Sequence, residues 1–206
     1  NISDVKASEG VSYQSSALYG NIKYDESMDA MAEASSTYNE YSGTEIGSEL
    51  ALRSENERGK WGPIPSTKKE IESIYKLLNE KGITVSVFDS IAANEESFKS
   101  LHRRSPDILH LATHGFVIDT PQKAKGNKFV ATTNIYSQKD SYLMWAGLML
   151  AGGNNIWQGR FNLTNVEDGI LTADEISRLD LSNTKLVVLS ACETARGKVD
   201  PVDGVY

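Results

Sequence analysis

The chain has 206 residues, 39% of them hydrophobic, enough for one sizeable core and better suited to one domain than two. A formal charge of −7 with no Lys/Arg cluster leaves no phosphate footprint and argues against a nucleic-acid partner. The single cysteine, Cys192, excludes an internal disulfide, and no signal-like stretch or apolar run of ~18 residues marks secretion or a membrane span, so a reducing, cytoplasmic setting is expected.

Residues 17–24 (Ala17-Leu18-Tyr19-Gly20-Asn21-Ile22-Lys23-Tyr24) read as a first strand that stops at Asp25-Glu26. From 25 to 60 the composition turns polar, with nine acidic against three basic residues, a local −6 within the total of −7. Apart from a helix-compatible stretch at 28–34, this segment reads as an acidic surface insertion with the composition of a mobile loop. Trp61-Gly62-Pro63-Ile64-Pro65 is a stiff entry into a helix, where Thr67 and Glu70 have the spacing of a capping box and Ile71, Ile74, Tyr75 and Leu78 mark one apolar face up to Gly82.

A second strand follows at 84–88, and Asn94 caps a second helix that carries Glu95 and Glu96 in its first turn and ends at Arg103 and Arg104. Residues 107–113 form a third, mostly apolar strand, as expected of one covered on both faces, and it runs straight into His114-Gly115. The stretch 116–169 is irregular, with room for one short strand near 144–153, after which Thr172 and Glu175 form another capping box before a helix through Leu179. The fourth strand, 185–191, is the most apolar and ends at Cys192. Strands alternating with helices predict an α/β fold with a mostly parallel sheet and right-handed crossovers. Both ends read as cuts, since Asn1 is not an initiator methionine and Tyr206 falls 14 residues after Cys192 in a loop-like stretch, so a longer polypeptide is expected.

Ligands of open parallel sheets bind beyond the carboxyl ends of the strands, and His114 and Cys192 both stand there. A thiol of ordinary pKa is mostly protonated at neutral pH, so a cysteine nucleophile needs an imidazole within hydrogen-bond reach, which later protonates the leaving amine. Gly115 lets backbone approach the substrate, so its N–H and that of Cys192 are candidates for an oxyanion hole. A lone cysteine ending an apolar strand is nevertheless more often an inert core residue. His110 lies on the same face as His114 by period two, but its mid-strand position favours burial against a helix, and His102 sits at a charged helix end open to solvent. Three histidines and one cysteine lack zinc-type spacing, so neither a metal nor another cofactor is expected.

Three segments lift catalysis above that ordinary reading: Asp107-Ile108-Leu109-His110-Leu111-Ala112-Thr113-His114-Gly115-Phe116, Asp168-Gly169-Ile170-Leu171-Thr172-Ala173-Asp174-Glu175-Ile176, and Leu186-Val187-Val188-Leu189-Ser190-Ala191-Cys192-Glu193-Thr194-Ala195-Arg196-Gly197. In content, order and spacing they resemble the CHAT family, caspase-like domains associated with tetratricopeptide repeats. Weaker similarity extends through Leu18-Tyr19-Gly20, residues 61–67 and residues 147–152, whereas Trp145 stands where the family often has a polar or basic residue.

The resemblance implies one catalytic domain over 1–206, equivalent to a large subunit. It would be a caspase-like three-layer sandwich with sheet order 2-1-3-4, whose further C-terminal strands are missing from this chain. His114 and Cys192 fall on the family's catalytic pair, implying a cysteine endopeptidase that works through a thioester. Asp25 and Ser190 fall beside the pocket for the residue preceding the scissile bond, and a carboxylate there implies a basic substrate residue. Implied partners are a protein or peptide substrate, the remaining C-terminal segment, and a tetratricopeptide region or regulator, with no membrane or direct nucleic-acid contact. The rival is a catalytically silent scaffold on the same fold.

Overall fold

A computed structural model describes residues 12–41, 59–117, 143–160 and 166–191. Four parallel strands form the central sheet: β1 (Ser15–Ile22), β2 (Thr84–Ser90), β3 (Ile108–Ala112) and β7 (Leu186–Ser190), in the order β2-β1-β3-β7. That is the expected 2-1-3-4 arrangement of a caspase-like sandwich, with β7 as the fourth parallel strand. Asp107 aligns the strand starts, because its carboxylate accepts from Gln14 N at 2.6 Å and Ser15 N at 3.1 Å and pairs with Lys185 Nζ at 2.7 Å. The Lys185 ammonium and these backbone donors hold the Asp107 carboxyl down to about 2.

Side-chain alternation divides the sheet into two covered faces. On one lies helix α2 (Ser66–Glu80), whose Ile71 is so close that a Cβ on Gly20 would stand 2.8 Å from its Cγ2. On the other, Ala17, Tyr19, Leu109 and Leu111 join Phe98 and Leu101 in the main core, alongside helix α3 (Glu95–Lys99). Tyr19 stacks on Phe88 and meets Phe98 edge to face. Helix α1 (Met28–Ser35) starts at its N-cap Ser27 and buries Met31 against Gly152, so this part of the acidic segment is packed structure. Residues 42–58 of that segment lie outside the described ones.

The stretch 116–169, read as irregular with one short strand near 144–153, contributes to a second sheet in which that strand is the central one. Strands β4 (Gly115–Val117), β5 (Ala146–Met149) and β6 (Ile170–Thr172) pair antiparallel in that order, with helix α4 (Asn154–Trp157) after β5 and helix α5 (Ala173–Ser177) after β6. The Thr172–Glu175 capping box closes in both directions. The one expected at Thr67–Glu70 does not: Pro65 is the N-cap, Thr67 Oγ1 donates to Ile64 O and accepts from Asn21 N, and Glu70 is engaged by His110. The second helix ends at Lys99, short of Arg103, which turns with φ 60°.

Candidate active site

Three strand ends converge at the carboxyl edge of the parallel sheet. β1 leads to Tyr24 and Asp25, β3 leads to His114, and β7 ends at Ser190, whose carbonyl accepts from Thr113 N at 3.2 Å. Ala112 is the register partner of Ser190. Cys192 follows Ser190 by two positions in the sequence and lies outside the described residues.

His114 is half-buried in an aromatic cradle. Its ring centroid is 4.9 Å from that of Tyr24 and 4.9 Å from that of Trp61, both tilted. Its Nε2 is 2.7 Å from the carbonyl oxygen of Gly62. A carbonyl can only accept, so Nε2 carries the proton and Nδ1 of the neutral ring is left as the basic nitrogen. Sequence reasoning found no group to orient this imidazole. A backbone carbonyl has no residue-type signature, and only the 52-residue return of the chain brings it here.

Tyr24 is fixed in turn. Its hydroxyl is 3.1 Å from Thr113 Oγ1, and that hydroxyl donates to Met149 O, which ties β3 to β5 beneath the histidine. Burial pushes the Tyr24 phenol up from its ordinary value despite its hydrogen bond with Thr113, so it stays neutral beside the imidazole. Gly115 is buried at the start of β4 opposite Leu148 of β5, and Trp145 is buried as well.

Asp25 lies beside the histidine's cradle, on the rim of a cleft of about 300 Å³ that Tyr24, Trp61, Lys60 and Pro63 also line. Its carboxylate accepts from Lys60 Nζ and, at 3.0 Å, from Arg160 NH2. The hydrogen bonds from Lys60 and then Arg160 hold its pKa below the ordinary value. Asp25, His114, Gly115 and Ser190 thus occupy one end of the fold.

His110 is 4% exposed, with Nε2 3.0 Å from Glu70 Oε1 of α2. It faces a helix, as its mid-strand position predicts. His102, expected to be free in solvent, is partly buried and accepts from Asp180 N through Nδ1 at 3.0 Å.

A buried charge cluster escaped sequence reading. Among the described residues, Glu95, Glu167 and Glu175 bring carboxylate oxygens within 4.8 Å of one another, a spacing that suits a cation. That place is taken by the Lys99 ammonium, at 2.7 Å from Glu95, 3.0 Å from Glu167 and 2.9 Å from Glu175. Burial alone would lower the Lys99 pKa, but the three carboxylates more than offset it and hold the group charged. Glu95 and its neighbour Glu96 organise the turn before β6: Glu96 accepts from Glu167 N at 2.9 Å and Glu95 from Gly169 N at 3.0 Å. Gly169 has φ +75°, and a Cβ there would come within 2.6 Å of Ala151 O and Gly153 N.

The parallel-sheet sandwich with a histidine at a strand's carboxyl end is of the caspase-like class. The CHAT domain family model matches residues 5–206, and the chain belongs to the CHAT domain family, which is related to caspase-like peptidases. No curated protein matches the chain, and no solved structure does. Among the described residues no helix is long and apolar enough to cross a membrane.

Proposed function

We propose that this chain carries the catalytic part of a cysteine endopeptidase, with Cys192 as nucleophile and His114 as general base, acting on a protein or peptide substrate in a reducing, cytoplasmic setting. The observation that carries the reading is the His114–Gly62 hydrogen bond of 2.7 Å. It fixes the ring in the tautomer whose Nδ1 can accept a proton, on the strand beside the one whose sequence leads into Cys192.

In this reading Nδ1 takes the thiol proton and the thiolate attacks the scissile carbonyl. The N–H groups of Gly115 and Cys192 receive the oxyanion of the tetrahedral intermediate. Collapse breaks the C–N bond, the imidazolium gives its proton to the leaving amine, and a thioester on Cys192 remains. Water, deprotonated by the same imidazole, then releases the acid. These steps use no metal or organic cofactor.

Asp25 and Ser190 line the approach to the pocket for the residue preceding the scissile bond. The partners are a segment of the same polypeptide laid along β7 and a tetratricopeptide region or regulator. The test is labelling with a peptide electrophile directed at thiols, together with cleavage assays of Cys192→Ala and His114→Ala. Each substitution is expected to abolish cleavage while leaving the thermal transition in place, because the pair acts as a unit. Cleavage retained in either variant defeats the mechanism, and a folded chain that neither labels nor cleaves is a binding module instead.

A further inference from the structure

The Gly62 carbonyl orients His114, yet residues 59–64 have no helix or strand of their own to hold them. The Trp61 ring cannot anchor the segment by its polar atom, because its Nε1 is buried with no hydrogen-bond partner. Trp157 Nε1 donates to Gly59 O at 3.1 Å and Thr67 Oγ1 to Ile64 O at 2.8 Å, at the two ends of the segment, and between them the Trp61 backbone is gripped by a side chain from another element. Asn154, the first residue of α4, accepts from Trp61 N through Oδ1 at 3.0 Å and donates from Nδ2 to Trp61 O at 3.0 Å. Both polar groups of one residue's backbone are closed by one carboxamide, as a neighbouring strand would close them.

Asn154 is itself immobilised. It is 0% exposed, and its own N–H donates to Tyr24 O at 2.9 Å, so it also ties in the second ring of the histidine's cradle. It touches none of the reacting groups assigned above. The peptide that begins with Trp61 C=O is followed directly by Gly62 C=O, so a change in the grip on Trp61 is passed to the His114 acceptor within one residue.

We propose that Asn154 is a positioning residue for His114: by bracketing the Trp61 backbone it holds the Gly62 carbonyl against Nε2 and so selects the tautomer in which Nδ1 is the base. This rests on the peptidase reading for its purpose, although the tautomer itself can be measured without any catalysis. Only an amide can serve both bonds at this reach. A carboxylate keeps the acceptor for Trp61 N but opposes Trp61 O, and a serine is too short for either.

The experiment is performed on the full chain with ¹⁵N-labelled histidine, comparing Asn154→Asp, Asn154→Ser and Asn154→Ala with the unaltered protein. As a control, Asn155→Ala removes the neighbouring carboxamide, whose Nδ2 donates to Glu26 O at 2.8 Å, away from Trp61. The unaltered chain and Asn155→Ala should show His114 as a single form with protonated Nε2 and pyridine-type Nδ1. The folded variants at 154 should show a mixture of both tautomers. Where cleavage is measurable, kcat should fall by roughly 10²-fold, the low end of what a general base supplies, with KM within about twofold.

An unchanged His114 spectrum in any folded Asn154 variant overturns the proposal. So does failure of all three variants to fold, which would assign Asn154 to scaffolding alone. If the unaltered chain does not cleave peptides while the tautomer still shifts in the variants, the positioning role stands and the peptidase reading falls.

Discussion

His110 and His114 are four residues apart with the end of β3 between them, and their surroundings give them different work. His110 is enclosed between β3 and α2 with Glu70 as its partner, so His110→Ala should cost about 1–3 kcal/mol in chemical denaturation through a cavity and an orphaned carboxylate. It should leave the turnover of the folded fraction intact, and a stable but inactive His110 variant would transfer the role of base to it. Asp25 carries a subtler expectation. Its carboxylate already serves Lys60 and Arg160 at an exposed site, so a basic substrate side chain must compete with two resident cations. Preference for Arg or Lys before the scissile bond should therefore be modest, and Asp25→Asn should reduce kcat/KM for basic substrates by less than about tenfold while sparing neutral ones. A peptide library profiled against both proteins decides this, and cleavage after aspartate would remove Asp25 from the pocket.

Among the elements, those whose signals are local were legible and those assembled from distant pieces were not. All four parallel strands are legible from their aliphatic, β-branched and aromatic content, and the apolar run of β3 leads to His114 and Gly115 just past its end. The same four-residue pattern reads as a cap at Thr67 and at Thr172, but only the second closes, because Thr67 and Glu70 are claimed by Asn21 and His110 from other parts of the fold. Apart from the short strand expected near 144–153, which is β5, the second sheet was missed because its strands span only three or four residues and find their partners across long stretches of chain. The charge cluster was missed for the same reason, its members being spread from Glu95 to Glu175.

That cluster has a pH signature. Burial, then the nearby Glu175, push the Asp168 carboxyl up to about 7, and burial likewise raises Glu95 and Glu167, while Lys99 overcomes burial to hold Glu175 down. A carboxyl raised in the folded state keeps its proton while the unfolded chain releases one, so stability from Asp168 is present below about pH 4 and is lost as pH rises to about 7. Asp168→Asn keeps an acceptor for Ile170 N and removes the titration. Its stabilisation in urea should grow by roughly 3 kcal/mol between pH 4.5 and pH 8, and a gain independent of pH would contradict the raised carboxyl.

At the scale of the molecule, the two edges of the parallel sheet are unlike. β2 mixes Thr84, Ser86 and Asp89 with its apolar residues, as edge strands open to water do. β7 is apolar throughout except for Ser190, yet among the described residues neither of its faces is covered: Leu186 is 41% exposed, Val187 53%, Val188 37% and Leu189 55%. Register places Val187 and Leu189 on the face of Leu109 and Leu111, with Leu186 and Val188 on the face of α2. Apolar side chains bare on both faces beside an unpaired ladder edge suit a further strand with its own covering layer, and the reading above assigns this place to another segment of the polypeptide. The 206-residue chain by itself should therefore associate as its concentration rises, as read by light scattering. Val187→Lys and Leu189→Lys, on one face, should suppress that association while changing stability by no more than about 0.5 kcal/mol each, as at any open surface. The opposite pattern is equally readable: a chain that stays monomeric and loses about 2–4 kcal/mol on either substitution would mean that residues of this chain outside the described ones already cover β7.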